Sequence, residues 1–128
     1  MLDQTVFQTQ YHEIKAGEIE RNVFSLIGSD WLLVTGGDRE KFNSMTVSWG
    51  GMGVLWNKNV AFIFIRRTRY TLEFIEKQPE FSLSAYPEQY RNELLRIFGR
   101  KSGRDCDKVA ESGFTPVETP FGTVAYAE

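Results

Sequence analysis

Polar and apolar residues alternate most regularly over residues 42–49, Phe-Asn-Ser-Met-Thr-Val-Ser-Trp. Successive side chains of a strand point to opposite faces. Ser44, Thr46 and Ser48 therefore share one face, and Asn43, Met45, Val47 and Trp49 share the other. The apolar run 31–35 predicts a strand before it, with Gly36-Gly37-Asp38 as the intervening turn. Gly50, Gly51 and Gly53 are expected to break regular structure. Residues 60–65 are six consecutive apolar residues, which predicts a strand buried on both faces. Tyr70 and Phe74, four apart, predict a helix over 70–77 that opens at Thr68 or Arg69 and is stopped by Pro79. Residues 81–85 predict another strand. A helix with an apolar stripe of Tyr90, Leu94, Ile97 and Phe98 follows Pro87 and ends at Gly99.

The remaining signals are weaker. Ser102-Gly103-Arg104-Asp105 has the spacing of a capping box and predicts a helix through about Glu111. Residues 122–126 predict a final strand, and residues 22–27 a short helical turn closed by Gly28. Val6, Phe7, Tyr11 and Ile14 give a faint alternation that predicts an edge strand. Strands and helices mix without strict βαβ alternation, so an α+β barrel fits better than a doubly wound sheet.

Composition narrows the function classes. At 128 residues the chain predicts one domain. Hydrophobic residues make up 41% and aromatics 14%, which marks a globular chain. A net charge of −2 argues against nucleic-acid binding through bulk charge. The apolar run 60–65 is too short to span a bilayer, and the N-terminus predicts no signal peptide. One cysteine, Cys106, excludes an internal disulfide and points to a reducing cytoplasm. With one histidine, His12, there is no metal cluster of usual spacing. We find no Ser-His-Asp set, no GxGxxG and no GxxxxGK[ST], so hydrolase, Rossmann and P-loop chemistry lack support.

Two segments carry candidate chemistry. Small hydroxyls beside Trp49, Gly50 and Gly51 suit a flat polar ring that backbone can approach closely. The same pattern also describes an ordinary amphipathic strand. Arg66-Arg67-Thr68-Arg69-Tyr70-Thr71 ends the apolar run where a helix begins. Guanidinium donors and free N–H groups at a helix start suit a phosphate; a solvated loop with Thr68 as N-cap is the plain alternative. Strand parity favours Arg66 and Arg69 over Arg67, which is expected to face solvent. Lys101, Ser102 and Arg104 form a second basic patch, unless Ser102 only caps a helix and Arg104 only pairs with Asp105 or Asp107. Trp56 either walls a pocket or fills the core. Cys106 reads as a small buried hydrophobe, and His12 as a surface residue without a role.

Taken in order, these two segments with Asn22-Val23-Phe24-Ser25-Leu26-Ile27-Gly28-Ser29-Asp30-Trp31, Val54-Leu55-Trp56-Asn57-Lys58 and Lys101-Ser102-Gly103-Arg104-Asp105 resemble the flavin reductase-like, flavoredoxin-type family. The resemblance runs from about residue 22 to the C-terminus. It implies an α+β fold, an antiparallel Greek-key-like FMN-binding split β-barrel with short helices. It implies a single flavin reductase-like domain over 1–128 and FMN as cofactor, with the electrons coming from NAD(P)H or a redox protein. The flavin-binding positions it implies are Asn43, Met45, Thr46, Ser48, Trp49, Arg66, Thr68, Arg69, Thr71, Lys101 and Ser102. A flavin supplies its own electron chemistry, so no catalytic side chain is expected. The resemblance also implies a homodimer, while the lone cysteine, the net charge and the short apolar run point to a cytoplasmic protein with neither nucleic acid nor membrane as partner. Val54, Leu55 and Trp56 are its candidate interface.

The chain departs from the family at Arg67 and Asn59, where relatives usually carry Pro. Family members also continue beyond the 122–126 strand, so the final barrel strands are expected to be missing. A truncated relative, one part of a longer protein, or a strand supplied by a partner would each explain this. The alternative functions are a non-catalytic flavin- or haem-binding module and a relative without ligand.

Overall fold

The computed structural model describes Leu2 and residues 4–128; the side chains of Gln4 and Val6 lie outside the description. Strands β1 (Leu32–Gly37), β2 (Phe42–Val47) and β5 (Phe81–Ser84) form a three-stranded antiparallel sheet in the order β2-β1-β5. Strands β3 (Gly50–Leu55) and β4 (Lys58–Ile63) form a separate hairpin. Strands β6 (Pro116–Glu118) and β7 (Val124–Tyr126) form a third antiparallel pair. The expected mixed α+β architecture with antiparallel strands is present. Among the described residues the three sheets do not close into a barrel.

The helices are short. They are α1 (Gln4–Gln10), α2 (Val23–Ser25, continued by a wider π-type turn over Leu26–Asp30), α3 (Tyr70–Lys77), α4 (Arg91–Glu93) and α5 (Lys108–Ser112). A 3₁₀ turn, Glu88–Tyr90, leads into α4, and π-type turns over Leu94–Gly99 extend it. The predicted apolar stripe of this segment is largely inward: Leu94 and Phe98 are each 1% exposed.

The core has two parts. Leu33, Tyr86, Leu94, Phe98, Phe114 and Tyr126 form one, rich in tilted and edge-on aromatic pairs. Ile27, Leu32, Val34 and Val47 form the other, across β1. Burying each of the larger side chains stabilises the fold by roughly 1.5–3 kcal/mol. Successive residues of β1 thus serve opposite layers, as the period of two requires.

Several expectations change. The faint N-terminal alternation is α1 rather than an edge strand: Phe7 and Tyr11 lie four apart and their rings stack at 4.5 Å. Gly36 and Gly37 belong to β1. The turn is made by Asp38, whose Oδ1 accepts from the Glu40 and Lys41 amides. Gly36 is needed because α3 lies on it, so that an added Cβ would come within 2.8 Å of Ile75. Gly50, Gly51 and Gly53 pair with β4 instead of breaking the strand. At Gly51 a Cβ would meet the Phe62 ring at 2.7 Å, so glycine makes this pairing possible.

Residues 60–65 are not buried on both faces. Among the described residues no second layer covers the other side of the hairpin, and Phe62 and Phe64 are 48% and 61% exposed. The helix assigned to Ser102 starts later. Ser102 closes a turn, and Asp107 caps α5 by accepting from the Ala110 amide at 3.0 Å. Strand β6 was not predicted; its Pro116-Val117-Glu118 is too short and mixed to show a period.

Candidate functional site

The end of β2, the start of α3 and the loop after α4 converge. There they line two cavities with shared walls. One, of about 140 Å³, is bounded by Met45, Thr46, Val47, Ser48, Trp49, Phe64, Arg66 and Arg69. The other, of about 230 Å³, includes Asn43, Met45, Thr68, Arg69, Thr71, Lys101, Ser102, Gly103, Arg104 and Lys108. Met45 and Arg69 belong to both. All eleven sequence-derived positions therefore lie on one of these two walls, whereas Arg67 lies on neither.

The polar groups are not all free. Ser44 faces inward: its hydroxyl hydrogen-bonds Thr35 at 2.7 Å and Tyr126 at 2.8 Å. Thr46 donates to the Leu94 carbonyl at 2.6 Å, which ties β2 to α4. The expected row of ligand-facing hydroxyls is thus mostly committed to the protein itself, and Ser48 alone of the three is exposed. Asn43 is also held, with its Nδ2 donating to Thr71 Oγ1 at 2.8 Å between two buried side chains.

The arginines divide by environment. Arg66 lies 4.9 Å from the Trp49 ring centroid, a cation–π contact beside the smaller cavity. Arg69 occupies the N-cap position of α3 without capping it by its side chain. The guanidinium is left available to the cavities, and Thr68 does not act as the cap. Arg104 sits 4.8 Å from the Tyr70 ring, pairs with Glu73 at 2.8 Å and donates to the Thr68 carbonyl. It fastens the loop after α4 to α3 instead of pairing with Asp105 or Asp107. Lys101 pairs with Glu111 at 3.0 Å, so a ligand would have to draw it from an exposed partner. Cys106 is half-buried and its thiol, pushed up chiefly by burial, approaches the Ser102 carbonyl.

Lys108 is the functional candidate that sequence reasoning missed. It is 6% exposed, and its Nζ donates to the carbonyls of Ser44 at 2.9 Å and Phe98 at 3.3 Å. Burial pulls its pKa down to about 8, and nearby Arg69 acts in the same direction. Its neighbours Asp107 and Val109 give no hint of burial; only the packing of α5 on β2 and α4 reveals it.

Lys108 and Tyr126 set an expected pH profile. The unfolded lysine keeps its proton to about pH 10.4, whereas the folded one loses it near 8. Between these values the unfolded state binds more protons, so stability rises with pH. Tyr126, pushed up to about 12 chiefly by burial, reverses the trend above about pH 10. Urea unfolding of Cys106→Ser, which removes the opposing thiol, should show a gain of about 1.5–2 kcal/mol from pH 7.5 to 9.5. A flat or falling midpoint over that range would contradict it.

With this geometry in view, the comparisons with known proteins are decisive for the family. The model of the flavin reductase like domain matches residues 24–128. The chain belongs to the flavin reductase-like family. Two solved structures have similar folds. Flavoredoxin of Desulfovibrio vulgaris (Miyazaki F) aligns with a TM-score of 0.70 at 24% identity, over 90% of this chain and 62% of that one. An FMN-binding domain of a flavin reductases-like enzyme from Shewanella baltica OS155 aligns with a TM-score of 0.62 at 18% identity, over 75% of this chain and 50% of that one. The flavin reductase-like chain described here therefore spans less than two thirds of either structure's length. No functionally curated protein matches it in sequence. No helix among the described residues is long and apolar enough to cross a membrane.

Proposed function

We propose that this chain is a flavin reductase-like domain over 1–128 that binds FMN. The reading is supported above all by the two cavities that meet at Met45 and Arg69. In it, Arg69, Thr68 and the 101–104 loop hold the phosphate, while Met45, Ser48, Trp49 and Arg66 border the ring. The fit is favourable: the phosphate end gathers Arg69, Lys101 and Lys108, and Arg104 closes the loop over it. Gly103 lies so close to Asn43 that a side chain there would fill the cradle.

Bound flavin would supply the redox chemistry, accepting electrons from NAD(P)H or a redox protein. The chain's own residues have the simpler task of holding and orienting it. Arg66 over Trp49 fixes one wall, and the Asn43–Thr71 hydrogen bond fixes the spacing of β2 and α3. The three sheets fit a split barrel of the family type, and the lone Cys106 fits a reducing cytoplasm.

The test is a comparison of FMN with riboflavin. Charge-assisted contacts of about 1.5–3 kcal/mol each predict at least tenfold tighter binding of FMN. Equal affinities would remove the phosphate assignment. Bleaching of the bound flavin's absorbance by NADH would support the reductase, and an unbleached yellow protein would leave a binding module.

We also propose a two-fold dimer. Val54, Leu55 and Trp56 at the hairpin tip are 73%, 50% and 85% exposed, so they do not fill this subunit's core. A contiguous exposed apolar edge of this kind marks an interaction surface, and an obligate interface would bury on the order of 2,000 Å². Light scattering across a dilution series should show a dimer; a monomer at micromolar concentration that still binds FMN would refute it.

A further inference from the structure

Lys108 has features that folding alone does not account for. Two of its three N–H donors reach the Ser44 and Phe98 carbonyls, and the third has no acceptor among the described residues. No carboxylate among those residues pairs with it. Buried charges are ordinarily paired. Here the nearest charged influences are Arg69, which repels the ammonium, and Cys106, a thiol.

Lys108 also lines the larger site cavity together with Arg69, Lys101 and Arg104. Asp105 is the one carboxylate on that wall, while Lys101 and Arg104 are already paired with Glu111 and Glu73. On its other side Lys108 borders a cavity of about 510 Å³ with Glu40, Lys41, Tyr70, Cys106, Asp107 and Tyr126. Asp107 is engaged as the cap of α5. Lys108 is therefore a desolvated cation next to a second cation, and neither Asp105 nor Asp107 pairs with it.

We propose that Lys108 is the charge-sensing residue of this site: an anionic phosphate that enters beside Arg69 supplies its missing counter-charge and holds its ammonium protonated. The inference rests on the FMN reading. Its consequence is a proton balance. Above about pH 8 a share of the free protein carries Lys108 as the neutral amine, and phosphate binding draws one proton from solvent onto Nζ. A nearby opposite charge raises an amine's pKa by a unit or more. Uptake at pH 8.5 should then be roughly half a proton or more per FMN bound. FMN affinity should fall by roughly tenfold between pH 7 and 9.5. The second phosphate ionisation near pH 6 is complete over this range and adds nothing.

The experiment is titration calorimetry of the wild-type chain at pH 8.5, in buffers of different ionisation enthalpy, with FMN, riboflavin and inorganic phosphate. Proton uptake with FMN and phosphate, absent with riboflavin, is the expected result. FMN binding without proton uptake overturns the role of Lys108 and leaves the FMN reading intact. Equal uptake with riboflavin overturns it too, because the proton would then answer to the ring. Failure to bind FMN at any pH overturns both. Lys108→Met should bind FMN without uptake, and Cys106→Ser should retain uptake; the reverse pattern would assign the proton to the thiol. If Lys108→Met does not fold, the wild-type calorimetry still decides.

Discussion

Arg69→Ala is expected to weaken FMN binding by roughly ten- to hundredfold, since one charge-assisted contact is worth about 1.5–3 kcal/mol. The side chain lines both cavities and caps nothing, so the urea midpoint should barely move. Arg66→Ala should weaken binding too, through its loss from the Trp49 ring. Arg67→Ala, which touches neither cavity, should stay within about twofold, a difference of under 0.5 kcal/mol. Fluorescence titration of the three variants reads this directly. If Arg67 proves as sensitive as Arg69, the phosphate has been put on the wrong side of the loop.

Gly103→Ala should have the larger structural effect. Its Cβ would lie 2.0 Å from Asn43 Oδ1, 2.8 Å from Asn43 Cγ and 3.0 Å from the Tyr70 ring. Asn43 cannot swing away cheaply, because its Nδ2 is committed to buried Thr71. Either that hydrogen bond breaks or the 101–104 loop lifts off α3. A lost buried hydrogen bond costs about 1–3 kcal/mol, and a displaced loop takes Lys101 and Ser102 with it. The expected result is reduced stability together with FMN binding weakened beyond the riboflavin level. A Gly103→Ala protein with unchanged midpoint and affinity would show that the loop does not hold the ligand.

The site was legible where chemistry and periodicity coincide. Arginines closing an apolar run before a helix, and a strand with two unlike faces, identify α3 and β2 from local pattern. What each hydroxyl does was not legible. Ser44 and Thr46 look like ligand groups in sequence, but Tyr126 and the Leu94 carbonyl claim them from 82 and 48 residues away. Lys108 escaped notice for the same reason: its acceptors come from Ser44 and Phe98, and no local pattern encodes them. The exposure of the hairpin is not legible in sequence, because six apolar residues in a row look the same whether a second layer covers them or not. Gly50 and Gly51 read as breakers in sequence because glycine disfavours strands; in the fold a crossing Phe62 requires glycine there.

The β3–β4 hairpin has a consequence for how stability is distributed. Its root is anchored by Met52 and Ile63 against the β1 core, while Val54 and residues 55–59 project with little of their surface covered. Trp56 and Asn57 both take positive φ values, 51° and 62°, at the two-residue turn. Regions with few buried contacts open locally at far lower free energy than the whole molecule. Backbone amides of the tip should therefore exchange with solvent deuterium long before those of Leu33 and Val34, which are fully buried in the central strand. Trp49 and Arg66 flank the base of the same hairpin. A ligand gripped there would slow exchange along the hairpin, out to residues it never touches.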